Sequence, residues 1–160
     1  MNKKVILVGH FGVGKTSLVR RFVHSQFSEE YITTIGVKID KKTVTLNGRM
    51  VTLLIWDIAG EDAQHKVPQS YRLGAHGVLY VIDVSRPSSY QDLITELTAI
   101  QELLPGVPVE ILANKRDLVS EEEWLHVQEQ ILPFKAIATS AKTGEYVEEA
   151  FIRLTERMVV

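Results

Sequence analysis

Cysteine is absent from this chain of 160 residues, and its absence excludes several kinds of chemistry. Without a thiol there is no disulfide, no thiol nucleophile, no thiolate metal site, and no prenyl or palmitoyl attachment. The second residue is Asn2, so the glycine that N-myristoylation requires is also missing. We therefore expect no direct lipid anchor in this chain.

Long hydrophobic runs and a strong net charge are missing too. The apolar run at residues 5–8 is too short for a signal peptide, and no run approaches the length of a transmembrane helix. A net charge of −2 and a pI of about 6.2 give no reason to expect a surface for nucleic acid or anionic membranes. The length fits one domain over residues 1–160, and a cytoplasmic location is the expectation.

What the chain does contain is an alternation of short apolar runs and helical patterns. The segments KKVILVGH, GVLYVIDV and VEILANK have the composition of strands buried on both faces. Apolar residues recur at helical spacing in 15–23, in 88–104 behind serine caps, and from about Gly144 onward. Asn47-Gly48 between two β-rich runs indicates a hairpin. The pattern predicts an α/β fold with a largely parallel sheet, helices on both faces and one antiparallel edge strand.

Residues 9–16, GHFGVGKT, combine three glycines with one lysine and one threonine. The stretch follows a predicted strand and opens a predicted helix, which is the setting of the phosphate-binding pattern G-x-x-x-x-G-K-[ST]. Glycines allow successive N–H groups to surround phosphate oxygens, and the helix adds its positive end. Lys15 would reach the β- and γ-phosphates, and the Thr16 hydroxyl would bind Mg²⁺. The alternative is a glycine-rich turn that binds nothing.

Polar residues follow other predicted strands at the edge where parallel sheets bind their ligands. Asp57 ends the strand LLIWD and can hold an Mg²⁺-bound water, although such an aspartate can also simply cap a turn. In NKRD, the Asp117 carboxylate can accept two hydrogen bonds from guanine, a donor pair that adenine lacks. Asn114 can tie loops together, and in TSAK the N–H of Ala141 can meet the guanine carbonyl. Each tetrapeptide alone is weak evidence for a ligand, but their order and spacing after the phosphate-binding pattern favour a guanine nucleotide.

These motifs together resemble the Ras-like small GTPases, and the Rab branch most closely. The resemblance covers nearly the whole chain and rests on GHFGVGKT, TTIG, WDIAG, YRLGAHGVLYVIDVS, NKRD and TSAK. It implies the P-loop NTPase fold, with a six-stranded, mostly parallel sheet flanked by about five helices. It also implies a switch that binds GTP and hydrolyses it, in which loops around Thr34 and Gly60 control partner binding. Similar patterns occur in bacterial Ras-like GTPases, a comparison that the missing lipid signal favours.

The resemblance also assigns roles to residues. It implies catalytic roles for Lys15, Thr34, Gly60 and Glu61, and Mg²⁺ binding by Thr16, Thr34 and, through water, Asp57. It implies nucleotide contacts from Phe11, Gly12, Val13, Gly14, Lys15, Thr16, Ser17, Phe27, Tyr31, Thr34, Gly60, Asn114, Lys115, Asp117, Ser140, Ala141 and Lys142. The implied cofactor is Mg²⁺ with GTP or GDP, and the implied partners are an effector, an exchange factor and a GTPase-activating protein.

Four positions depart from the family pattern. Glu61 stands where a glutamine usually orients the attacking water, and Phe11 stands where glycine or a small residue is usual. Ile58 replaces a common threonine, and Gln64 replaces an aromatic residue that helps Rab proteins bind partners. Because residues 11 and 61 flank the reacting phosphate in the family, slow hydrolysis is expected.

Three functions fit the sequence. The leading one is the GTP-hydrolysing switch. The second is a non-hydrolysing module that binds GTP or GDP and interacts with partners, which residues 11 and 61 favour. The third is an ATP-using P-loop enzyme such as a small kinase. Asp117 argues against it, and so does the lack of a lid sequence that would bind a second substrate.

Overall fold

The computed structural model describes residues 1–25, 37–58 and 69–160. Its six strands are β1 (Asn2–Gly9), β2 (Val37–Leu46), β3 (Arg49–Ile58), β4 (Gly77–Asp83), β5 (Val109–Asn114) and β6 (Ala136–Ala138). The described residues also form four α-helices, which are α1 (Lys15–His24), α2 (Leu93–Leu103), α3 (Glu121–Gln130) and α4 (Val147–Met158). Short 3₁₀ turns lie at Gln69–Arg72, Pro87–Ser89 and Arg116–Leu118.

The strands form one sheet in the order β2-β3-β1-β4-β5-β6. Every neighbouring pair is parallel except β2 and β3. Those two strands form the predicted hairpin, and both turn residues have positive φ, 49° at Asn47 and 78° at Gly48. The prediction of a mostly parallel sheet with one antiparallel edge strand is confirmed.

Alternate residues of the central strands supply two apolar cores, one on each face of the sheet. On β1, Val5 and Leu7 pack with α1 and α4, whereas Ile6 and Val8 pack with α2 and α3. All seven residues of β4 are buried, as expected for a strand covered on both faces. The fold thus has three layers, with the sheet between two pairs of helices.

Helix starts differ in how well the sequence predicted them. The capping box at Ser120 and Glu123 is present at the start of α3. The predicted serine caps of α2 are wrong, because its N-cap is Asp92 without a side-chain cap, and α4 begins at Val147 rather than near Gly144. None of the helices in the described parts of the chain has the length and apolarity needed to cross a bilayer.

Candidate functional site

The phosphate loop joins β1 to α1, as the sequence predicts, and its backbone needs glycine. Gly12 and Gly14 have φ values of 79° and 101°, in the left-handed region that side chains disfavour. Gly14 is the N-cap of α1, and a Cβ built on it would clash with the amide nitrogen of Asn114. Val13 between them is fully buried, and Ser17 lies half-buried in the first turn of α1. The loop therefore presents backbone N–H groups at the start of a helix, where anions bind.

Lys15 points its ammonium back across this loop. The Lys15 Nζ lies 3.0 Å from the carbonyl oxygen of Gly9 and 3.1 Å from that of His10, and it donates to both. Burial lowers the pKa of Lys15 to about 8; the carboxylate of Asp57 raises this pKa, and the positive charges of Arg86 and Arg72 lower it. Among the described residues the ammonium donates to these two carbonyls, and a buried cation of this kind gains strongly from an anionic partner, which a phosphate would supply.

Thr16 and Asp57 meet beside Lys15. The Thr16 hydroxyl donates to Oδ2 of Asp57 over 2.6 Å, and Asp57 is 1% exposed at the carboxyl end of β3. A hydroxyl and a carboxylate are hard oxygen donors, the kind that Mg²⁺ prefers. The two residues are 41 positions apart in sequence, and their contact in the structure fits the predicted magnesium site.

Asn114 and Lys115, at the end of β5, connect the phosphate loop to the base-side loops. The Asn114 amide donates to the carbonyl of Val13 over 3.0 Å, and its own oxygen accepts from the Thr139 hydroxyl and the N–H of Ala141. The Lys115 Nζ donates to the carbonyl of Gly12 over 2.8 Å. Because Asn114 is 1% exposed, the hydrogen bonds of its side chain are made away from competing water.

The remaining base-side residues also lie together. The Ser140 hydroxyl donates to Oδ1 of Asp117 over 2.7 Å. Arg21 of α1 donates to the carbonyls of Ala141 and Lys142 at 2.8 and 2.5 Å, fixing the TSAK loop to the first helix. The structure thus brings the NKRD and TSAK residues beside the phosphate loop.

Three side chains near the phosphate loop were missed by sequence reasoning. The Asp83 Oδ2 lies 3.0 Å from Lys115, the Arg86 guanidinium donates to the carbonyl of Phe11, and the Glu96 Oε1 lies 2.6 Å from the His10 Nε2. Asp83 ends β4, so the rule that ligands lie beyond strand ends would have pointed to this loop. No sequence pattern predicts the hydrogen bond from Arg86 to the carbonyl of Phe11.

Several predicted site residues lie outside the described residues. They are Phe27, Tyr31, Thr34, Gly60 and Glu61, and Gln64 lies there as well. Of the other two departures, Ile58 is buried in the core on the α2 side, and Phe11 is 37% exposed. A cleft of about 290 Å³ lies between the phosphate loop and α2, lined in part by Gly9, Arg72 and Glu96.

A glycine-rich loop between strand and helix, a buried lysine, and an adjacent threonine and aspartate together define a P-loop nucleotide-binding protein. A model of the Ras family matches residues 4–160. Ras-related protein Rab-4B of Homo sapiens is 37% identical over an alignment of 157 positions that covers 94% of this chain and 73% of Rab-4B. Ras-related protein Rab-1 of Theileria parva is 38% identical over 164 aligned positions, with 97% of this chain and 73% of that protein covered. GTP-binding protein ypt1 of Schizosaccharomyces pombe is 35% identical over 160 aligned positions, with 97% of this chain and 79% of ypt1 covered.

The chain therefore belongs to the Ras family. With this fold and these relatives it is a GTP-binding, GTP-hydrolysing molecular switch of Rab-like type. Family members of this kind bind GTP or GDP, generally with Mg²⁺, and work with regulators and effectors.

Proposed function

We propose that residues 1–160 form one G domain that reads guanine with Asp117, binds phosphates with Lys15 and hydrolyses GTP slowly. The observation that carries the proposal is the meeting of the three motifs: Asn114 bonds the phosphate loop, and Ser140 bonds Asp117. The exocyclic amine and ring N–H of guanine would donate to Asp117. A cytoplasmic location stays a prediction from the sequence.

Mg²⁺ has a defined place in this proposal. The Thr16 hydroxyl would bind the ion directly, and Asp57 would hold one of its waters, because the two side chains already face each other across 2.6 Å. Thr34, outside the described residues, stays a predicted third contact. The ion supplies positive charge to the β- and γ-phosphate oxygens when it is bound.

The slow rate follows from the residues near the reacting phosphate. Glu61 keeps the acceptor of the usual glutamine, loses its donor and would bring negative charge toward a negative transition state, but a carboxylate is also a better base, so Glu61 alone does not set the direction. Phe11 crowds the space that an arginine from a partner would use, and such an arginine is worth roughly 10³–10⁵ in rate where it operates. We infer that a partner cannot accelerate this protein by inserting an arginine beside Phe11.

Two measurements test the function. The nucleotide released on denaturation should be GDP or GTP, and ATP in its place would overturn the guanine assignment. Single-turnover hydrolysis with Mg²⁺ should proceed on the order of 10⁻⁴ s⁻¹, the intrinsic range of the family. Wild-type turnover near 1 s⁻¹ without a partner contradicts the slow-hydrolysis proposal. Bound GTP without phosphate release would favour the non-hydrolysing module instead.

Variants identify the cause of slow hydrolysis. Phe11→Gly, Glu61→Gln and the double variant should be compared with the wild type with and without a Ras-type activating protein. Only variants that lack Phe11 should respond to the partner arginine. A transition-state complex of the wild type with an arginine inserted beside Phe11 would refute the steric argument.

We further propose that partners contact an apolar surface on β2, β3 and the turn Gln69–Arg72. Ile39 and Tyr71 are 53% and 42% exposed, and Ile39 pairs in register with Trp56. The Trp56 and Tyr71 rings lie 6.3 Å apart, and the Lys4 ammonium lies 3.8 Å over Trp56. In sequence, β2 and β3 lie between the two segments in which the family carries its switches.

The tryptophan count makes this surface testable. The chain has two tryptophans, Trp56 and the buried Trp124, so Trp124→Phe leaves Trp56 as the only indole. If the surface responds to the bound nucleotide, the fluorescence emission of Trp56 should differ between the GDP form and the form with a non-hydrolysable GTP analogue. Identical spectra in both states would argue against a nucleotide-controlled surface.

A further inference from the structure

The loop after β4 brings a guanidinium group to the phosphate loop. Arg86 lies three residues beyond the carboxyl end of β4, and its Nη2 donates to the carbonyl of Phe11. Phe11 is the residue that crowds the site against an arginine from outside. The chain's own Arg86 therefore bonds the backbone of the residue whose side chain would obstruct an arginine from a partner.

The backbone that carries Arg86 is tightly held. The Arg86 N–H donates to the carbonyl of Asp83 over 3.0 Å, and the fully buried Ser89 hydroxyl lies 2.8 Å from the Arg86 carbonyl. The Asp83 carboxylate accepts from the N–H and hydroxyl of Ser85 at 2.9 and 2.6 Å and pairs with Lys115. Because Lys115 also bonds Gly12, the Arg86 turn and the phosphate loop form one connected structure.

The charge of Arg86 reaches the centre of the phosphate site. Burial is the main reason that the pKa of Lys15 is low, and the positive charge of Arg86 lowers this pKa further, more than that of Arg72. The Lys15 ammonium marks where the β- and γ-phosphates would lie. The Arg86 guanidinium therefore lies within electrostatic reach of the Lys15 ammonium, and its hydrogen bond to Phe11 places it on the phosphate loop itself.

The guanidinium of Arg86 has more hydrogen-bond donors than its bond to Phe11 uses. A guanidinium carries five N–H donors, and among the described residues the Arg86 side chain makes one hydrogen bond, to Phe11. Its side chain is half-buried and already touches the phosphate loop at Phe11. Planar forked donors of this kind match phosphate oxygens in pairs.

We propose that Arg86 supplies, within the chain, a guanidinium that donates to the γ-phosphate of GTP and stabilises its charge during hydrolysis. The inference rests on the proposed GTP site. In the reaction, a water oxygen bonds to the γ-phosphorus while the bond to the β–γ bridging oxygen breaks, giving GDP and phosphate. Arg86 donates hydrogen bonds to the developing charge and transfers no proton.

The test compares Arg86→Ala, Arg86→Lys and the control Arg49→Ala, whose arginine is exposed at the hairpin on the opposite edge of the sheet. Single-turnover GTP hydrolysis and the affinities for GDP and a non-hydrolysable GTP analogue are measured for each. We expect Arg86→Ala to lower the rate at least about tenfold, the loss of one charge-assisted bond, with a smaller change in GDP affinity. Arg86→Lys should restore the affinity for the GTP analogue more than the rate, and added guanidinium ion should raise the rate of Arg86→Ala. The control should match the wild type.

The outcomes separate three explanations. If GDP and GTP-analogue affinities of Arg86→Ala fall equally and Arg86→Lys restores both affinity and rate, Arg86 only braces Phe11 and the proposal is wrong. If the rate and both affinities are unchanged, the proposal is also wrong. A wild-type protein that binds no guanine nucleotide would instead overturn the function on which this inference rests. Circular dichroism melting of Arg86→Ala, compared with Arg86→Lys, shows whether a lost rate reflects lost folding.

Discussion

The two sides of the nucleotide site are held together in different ways. On the base side, the motif residues brace one another: Asn114 bonds Val13 and Ser140 bonds Asp117. On the phosphate side, His10 and the unusual Phe11 are held by side chains outside any motif, Glu96 and Arg86. On the base side, ligand reading and bracing fall on the same motif residues, whereas the side chains that brace His10 and Phe11 on the phosphate side come from outside the motifs.

The difference in burial gives the two arrangements different energetic weight. Asn114 is 1% exposed and has a partner for its donor and for its acceptor, so removing it leaves buried polar groups unpaired. The His10 and Glu96 side chains are 35% and 30% exposed, so water screens their attraction and can replace either partner. We expect changes on the base side to be costly and changes at residues 10 and 96 to be mild.

The largest effect is expected from Asp117→Asn. A site built to hydrogen-bond a substrate group rejects an analogue that lacks it by roughly 10⁴–10⁵, because buried polar groups are left unpaired. The variant should lose GTP affinity and gain relative affinity for xanthosine nucleotides, whose edge presents an acceptor. Competition binding with GTP and XTP measures the change, and the exposed Asp92→Asn is the control. Equal GTP preference in Asp117→Asn and the parent would mean that this loop does not read the base.

Lys15→Ala should have the next largest effect. The ammonium of Lys15 would make charge-assisted bonds to phosphate oxygens, each worth roughly 1.5–3 kcal/mol. Nucleotide affinity should fall at least about tenfold while the fold survives. Titration with fluorescent GDP measures it, with the exposed Lys41→Ala as control. Undiminished affinity in Lys15→Ala would remove the phosphate assignment.

Much of this architecture was predictable, for reasons that particular residues make clear. The mostly parallel sheet and the hairpin followed from buried runs such as GVLYVID and from Asn47-Gly48, since both signals are local. The contact between Thr16 and Asp57 followed from the rule that strand ends meet at one edge of the sheet. The bond from Arg86 to Phe11 joins a side chain to a carbonyl 75 residues away, and no spacing or composition encodes such a contact. The serine caps predicted for α2 failed because Ser89 bonds the carbonyls of Asp83 and Arg86 instead.

Asn114→Ala tests the brace on the base side. The change removes the amide that links Val13, Thr139 and Ala141, and it leaves their buried groups without this partner. We expect a loss of roughly 1–3 kcal/mol in the free energy of unfolding. At about 2–4 °C per kcal/mol for a domain of this size, thermal melting resolves it. The exposed Asn2→Ala is the control, and a melting temperature equal to that of the wild type would show that the brace is not needed for stability.

Glu96→Gln should have the smallest effect and sharpens the comparison from the other side. Glutamine keeps the length of Glu96 and an oxygen that can accept from the His10 ring, so the change removes charge and little else. Because both side chains are about one-third exposed, the pair should contribute less than about 1 kcal/mol to stability. Melting temperature should fall by less than about 4 °C, and the difference from wild type should shrink as salt is added, since salt screens exposed pairs. Nucleotide affinity should stay within about threefold, because among the described residues Glu96 bonds His10, which is not a predicted nucleotide-binding residue. If Glu96→Gln destabilises the protein as much as Asn114→Ala, the phosphate side is braced as strongly as the base side, and the distinction drawn from burial is wrong.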